Sequence, residues 1–402
     1  MRAVVAAVLC LLGVAGGAQP QPSVAIRVDT NARKGLMHPF WAWYGHDEPN
    51  YTYTANGRKL LSSLQDLSPV PVFVRVHNLL TSGDGTPALK WGSTNIYTED
   101  AGGTPVYDWT ILDRIVDTYT ARGMKPFVQL GFMPEALSSA PAGTPYRHFW
   151  KPGDSLNDIY TGWTYAPKDY RKWEELCYQV THHLVEKYGR GAVESWWFEV
   201  WNEPDIRYWS GSVGPSAGGG DPRAAEKAQI RRDEYNKLYD FAVEGVRRGL
   251  STARIGGPEV TGGAQAMLRT FLQHTSAGTN YATGKTGTPL DLITFHAKGS
   301  PTFVENRVRM RGRLRGLKRQ RKQLGVRRRR EPFPVTEAVH DARGALRRRI
   351  GAEQAIVDRQ DIRVVRVRFR HLAGVVHLVD VRRDQYQRED AIESWPEADV
   401  RM

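Results

Sequence analysis

Glu203 is the residue of this chain best placed for acid–base chemistry. It closes the run Trp196-Trp197-Phe198-Glu199-Val200-Trp201-Asn202-Glu203-Pro204. The apolar and aromatic residues of that run read as a strand, and Pro204, which has no N–H, stops the ladder just past its end. A carboxyl group delivered there beside indole rings is partly desolvated, the condition that suits a general acid. Glu199 lies mid-strand, where a structural role fits better. Trp201 and Asn202 arrive at the same strand end. His77, after Arg75-Val76, and His296, after Thr294-Phe295, occupy comparable positions and read either as pocket residues or as satisfied core imidazoles. Asp47 and Glu48 follow an aromatic run and either touch a ligand or cap the loop. No His, Asp and Glu cluster has metal-ligand spacing, and no Gly-rich phosphate loop follows a strand. Neither a metal nor another cofactor is expected.

The elements that would position these residues alternate. Strands are expected at Phe40 to Tyr44, Pro71 to His77, Lys125 to Gly131, Ser195 to Trp201, Arg254 to Gly257 and Asp291 to Phe295. Helices fall between them. In one, Ile111, Leu112, Ile115, Val116 and Tyr119 form an apolar stripe, with Asp108 as N-cap and Gly123 closing the end. Others run through Leu60 to Leu67, Lys168 to Tyr188, Tyr235 to Val246 and Met267 to Leu272. Strand followed by helix, repeated, argues for a parallel sheet, and six such units favour a closed α/β barrel over an open doubly wound sheet. A long connection with Pro134, Pro141, Pro145, Trp150, Pro152 and Trp163 follows the third strand and reads as functional. In such barrels, residues at the C-terminal strand ends build the active site.

Trp201-Asn202-Glu203-Pro204 resembles the Asn-Glu-Pro signature of a large clan of retaining glycosidases. Phe40 to Pro49, Arg75-Val76-His77-Asn78, Gly131 to Leu137 and Thr294-Phe295-His296 narrow the resemblance to glycoside hydrolase family 39, which includes β-xylosidases and α-L-iduronidases. It spans residues 36 to 304. It implies a (β/α)8 TIM-type barrel, disturbed here at its last two units, and a retaining double displacement on an oligosaccharide or glycoside substrate. Glu203 then matches the acid/base and Asn202 the residue bonded to the sugar 2-hydroxyl. His77, His296, Trp201 and Asp47 line the pocket. The nucleophile is expected from a seventh strand, where Glu337, after Phe333-Pro334-Val335, has suitable spacing but lacks an apolar strand before it. Lys298 stands where the family often has Tyr.

Composition divides the chain at Glu305. Through Val304 there are 30 Lys and Arg against 29 Asp and Glu; from Glu305 onward there are 26 against 14, and 24 of those 26 are Arg. An onset that abrupt, with barrel strands lost, reads as out-of-frame translation of GC-rich DNA. A basic polyanion-binding arm is the alternative, although a nucleic-acid partner suits an exported sugar hydrolase poorly. The domain reading is therefore 1–18 signal peptide, 19–304 barrel and 305–402 atypical Arg-rich tail. Arg2, the apolar run Ala3 to Val14 and the small residues Ala15 to Ala18 carry the signal reading, and with it export to the periplasm or exterior. That run is too short to span a bilayer. With Cys10 removed, Cys177 is left alone and no internal disulfide is expected. Three functions stay open: a retaining glycosidase, an inactive or truncated carbohydrate-binding homologue, and a polyanion-binding protein. Sugar, linkage and oligomeric state are not legible in the sequence.

Overall fold

The structure is a computed structural model. It describes residues 38–309 except 88–91, 148–152, 156–158 and 216–220, together with Asp29, Gly35 and the backbone of two strands at 366–372 and 375–382. The chain divides into one unit of Leu36–Ala342 and another of Met1–Gly35 with Arg343–Met402.

In chain order, the first unit holds β1 (Trp43–His46), α1 (Ala55–Asp66), β2 (Phe73–Val76), β3 (Tyr97–Glu99), β4 (Pro105–Tyr107), α2 (Thr110–Thr120) and β5 (Lys125–Leu130). It continues with α3 (Tyr170–Tyr188), α4 (Arg190–Val193), β6 (Trp197–Val200), α5 (Ala224–Gly249), β7 (Ile255–Val260), α6 (Gln265–Ala277) and β8 (Leu292–Phe295). A last helix, α7, covers 301–309 and runs through the compositional boundary at Glu305. Six strands form one parallel sheet in the order β1-β2-β5-β6-β7-β8, with β1 and β8 at its edges among the described residues. This is the expected α/β barrel architecture, with six of its strands among the described residues.

Local chemistry sets the element ends. Asp169 caps α3 by accepting from the Arg171 and Lys172 amides, and Gly189, at φ 82°, ends it. The N-cap of α2 is Trp109 rather than Asp108, yet Asp108 Oδ1 still accepts from the Thr110 amide at 2.9 Å. The expected stripe of α2 packs inward: Leu112, Ile115, Val116 and Tyr119 are all buried. The first strand starts three residues later than its aromatic run predicts, because the Ala42 amide turns back onto the Pro39 carbonyl at 3.1 Å. The short antiparallel pair β3–β4 has no counterpart in the sequence pattern. Its turn is held by Asp100 Oδ1, which accepts from the Gly102 and Thr104 amides.

The second unit contains an antiparallel ladder of β9 (Arg366–Leu372) and β10 (Val375–Arg382). Among the described residues no helix is long and apolar enough to cross a membrane.

Candidate active site

The parallel sheet carries its polar residues to one end. Asp47 follows β1, His77 and Asn78 follow β2, Asn202 and Glu203 follow β6, and His296 follows β8. Left-handed backbone recurs at these strand ends, in Asn78 (φ 62°), Trp201 (φ 69°), Glu203 (φ 44°) and Glu259 (φ 49°). Each such residue costs free energy, and clusters of them mark sites whose side chains are held for a task. Here the turn at Trp201 and Glu203 redirects the chain from the strand, and the Glu203 carboxylate meets the His296 ring. The Trp201 amide stays bonded to the Leu130 carbonyl at 3.0 Å, and the Glu203 amide to the Glu259 carbonyl at 2.9 Å.

His296 joins the carboxylates. Its Nδ1 lies 2.6 Å from Glu203 Oε1 and its Nε2 lies 2.8 Å from Glu259 Oε1. Burial opposes charge on this ring, but the bonds to Glu203 and Glu259 outweigh it and raise its pKa to about 9. Below the carboxylates, Arg75 Nε donates to Glu199 Oε2 at 2.5 Å and Nη2 donates to Asn202 Oδ1 at 3.1 Å. Arg75 Nη2 also lies 3.8 Å from Glu259 Oε1. Burial pushes the Glu199 carboxyl well up against the pull of Arg75, and Glu259 pushes it further. Burial likewise opposes the charge on Glu259, yet Arg75 and His296 hold that carboxyl well below the usual range.

Glu203 therefore stands where the sequence places it, part-exposed at 14 % beside a partner that donates to it. Glu199 is fully buried against Arg75, as its mid-strand position predicts. Asn202 is buried, its Oδ1 accepting from Arg75. His77 Nδ1 faces Asp47 Oδ1 at 3.7 Å, and its ring lies edge-on to Phe132 and Tyr208. Burial, reinforced by Arg75, lowers the His77 pKa to about 3, so it is neutral at ordinary pH. Trp201 corrects the expectation of a pocket-lining indole. It is fully buried, its Nε1 donates to the Tyr208 carbonyl at 2.8 Å, and its ring packs on Phe132 and Trp209. The indole supports the site from behind. Trp163, from the long proline-rich connection, joins the same aromatic wall against Phe132 and Tyr208.

Glu337 lies outside the described residues. Glu259 is the site residue that sequence reasoning missed. It sits in Ile255-Gly256-Gly257-Pro258-Glu259-Val260, where strand five was expected to end at Gly257. A charged residue one step past a proline reads as a loop, and only the convergence of β2, β6, β7 and β8 brings it under His296. Among the described residues, no group of three or more His, Cys, Asp and Glu side chains is arranged to hold a metal ion.

Sequence and structure comparisons bear on this arrangement. The description of Glycosyl hydrolases family 39 matches residues 24–338. The chain is 31% identical over 229 residues to a β-xylosidase of Geobacillus stearothermophilus, covering 56% of this chain and 36% of that one. It is 28% identical over 292 residues to the α-L-iduronidase of Mus musculus, covering 69% and 38%. The crystal structure of a monomeric β-xylosidase from Caulobacter crescentus superposes with a TM-score of 0.50 at 24% identity, covering 73% of this chain and 50% of that one, a likeness of fold. The chain thus spans between a third and a half of the length of these proteins.

Proposed function

The chain belongs to glycosyl hydrolase family 39, and we propose that it hydrolyses O-glycosidic bonds of a β-xylosidase-like glycoside or oligosaccharide, with Glu203 as acid/base. The observation that carries this reading is the Glu203 carboxyl just past the C-terminal end of β6, part-exposed and held by His296. In a retaining double displacement, Glu203 protonates the leaving oxygen while a second carboxylate, about 5–5.5 Å away, attacks the anomeric carbon. Water, deprotonated by Glu203, then displaces the glycosyl group from that carboxylate. We assign the second carboxylate to Glu337, which the family match includes. Asn202, His77 and Asp47 bound the sugar pocket in this reading, and residues 1–18 direct export.

Charge pairing favours an uncharged glycone over a uronate. Arg75 and His296 already face carboxylates, His77 is neutral, and Asp47 stands at the pocket. The test is hydrolysis of aryl β-xylosides, with an aryl α-L-iduronide as control. Glu203→Gln is expected to slow xylosides with poor leaving groups by roughly 10²–10⁴-fold and to spare glycosylation by activated ones, which need little protonation. Equal losses on both would remove Glu203 from the role.

A second reading, a carbohydrate binder with little turnover, is favoured by one observation. Glu259, the other carboxylate facing Glu203 across His296, is buried and already engaged by Arg75 and His296. Xyloside binding without turnover would select it.

A further inference from the structure

His296 touches a carboxylate with each ring nitrogen, at 2.6 Å and 2.8 Å. An ionised carboxylate only accepts, and a neutral imidazole has one N–H. Two such contacts therefore need either a doubly protonated ring or a protonated carboxyl at one end. Glu259 is not the protonated end, because Arg75 approaches the same Oε1 at 3.8 Å and favours its charge, which leaves an imidazolium or a Glu203 proton shared with Nδ1, two states that differ in whether Nδ1 itself is protonated. Of the buried pair, Glu199 is the one whose charge is opposed, first by burial and then by Glu259, while Arg75 and His296 favour the charge on Glu259.

We propose that Glu259 is a positioning residue of the site: by accepting from Nε2, it holds His296 as an imidazolium whose Nδ1–H is fixed on Oε1 of Glu203. Glu259 is itself placed by two strands. Its amide donates to Thr294 Oγ1 on β8 at 3.1 Å, and its carbonyl accepts from the Glu203 amide at 2.9 Å. Glu259 thus holds Glu203 twice, once through the backbone and once through His296. The groups facing His296 are Glu203 after β6, Glu259 on β7, and Arg75 and His77 from β2; Glu199 on β6 and Asp47 after β1 lie behind these. The two carboxylates in direct contact outweigh Arg75, which lies beyond Glu259.

The consequence for catalysis rests on Glu203 being the acid/base. With Oε1 filled by a donor, the proton that Glu203 delivers is confined to Oε2, the oxygen with no hydrogen bond among the described residues. Glu259 would in this way fix which oxygen faces the leaving group without touching the substrate.

The experiment is nitrogen NMR of the full chain with labelled histidine, the His296 signals assigned by their loss in His296→Gln. In the unsubstituted protein both His296 nitrogens are expected to stay protonated through neutral pH and to titrate near pH 9. Glu259→Gln should lower that midpoint by at least one unit, a tenfold loss of proton affinity, and Glu259→Asp should restore part of it. An unprotonated His296 nitrogen at pH 7 in the unsubstituted chain would overturn the proposal, as would an unchanged midpoint in folded Glu259→Gln. The first of these measurements needs only the assignment variant His296→Gln to fold. Neither depends on turnover, so a failed acid/base role for Glu203 would show separately, in the xyloside kinetics.

Discussion

At the scale of single residues, the site is a ladder of buried charge in which each group's protonation is set by its neighbour. Histidines report it most directly, and they do so with opposite signs. His77 is held neutral, with a pKa of about 3 in the folded chain against 6.5 unfolded, and burial lowers His46 to about 4. As pH falls below about 6.5 the unfolded chain takes up protons that these folded rings refuse, so stability is lost on the acid side. His296 is raised to about 9, so its contribution is fully present below its unfolded value and is lost as pH rises toward 9. Each ring changes stability by at most about 1.4 kcal/mol per pH unit within its window. Urea midpoints should therefore peak near neutral pH and fall in both directions, with His77→Gln flattening the acid limb. Midpoints that stay constant between pH 5 and pH 9.5 would contradict this account of the three rings.

At the scale of elements, the precision of the strand ends depends on how closely the outer helices sit. α3 and α5 touch through Gly245, where an added Cβ would lie 2.2 Å from the Glu174 carbonyl oxygen and 3.0 Å from Cys177 Cβ. Both neighbours belong to a buried helix face with Trp173, Leu176 and Val180, which have little room to retreat. Gly245→Ala gains up to about 1 kcal/mol in helix propensity, but overpacking costs about 1–3 kcal/mol. The expected net effect is destabilisation, read as a lower urea midpoint with unchanged slope. A stabilised variant would show that α3 and α5 move apart without cost. The sequence shows both helices by their apolar periodicity, but not that Gly245 is the point where they meet. That requires knowing which faces oppose each other.

At the scale of the whole molecule, the proposed retaining mechanism requires a second carboxylate beside Glu203. The parallel sheet supplies Glu203 and Glu259, and the geometry commits Glu259 to His296 and Arg75. Turnover of an aryl β-xyloside that is abolished by Glu337→Ala is the expected signature of the retaining mechanism, because without a nucleophile no glycosyl-enzyme forms. Turnover untouched by that substitution would move the role to another carboxylate. General acid catalysis by Glu203 alone contributes only about 10²–10⁴-fold, so a chain left with it should bind glycosides and hydrolyse them poorly.

The sequence by itself determined the alternation of strands and helices, the parallel sheet and the arrival of Glu203, Asn202, His77 and His296 at strand ends. These follow from periodicity and from residues such as Pro204 that terminate a ladder, which are local properties. It also showed that Glu199 belongs inside, because a mid-strand side chain in an apolar run has no route to the surface. Tertiary structure decided the rest. Trp201 turned away from the pocket because its left-handed backbone sends the indole toward Phe132 and Trp209. Glu259 entered the site because β7 lies between β6 and β8, so that its carboxylate meets an imidazole from one neighbour and its backbone carbonyl accepts an amide from the other. Hydrogen bonds between residues dozens of positions apart leave no trace in local sequence pattern; they exist only once the strands are side by side.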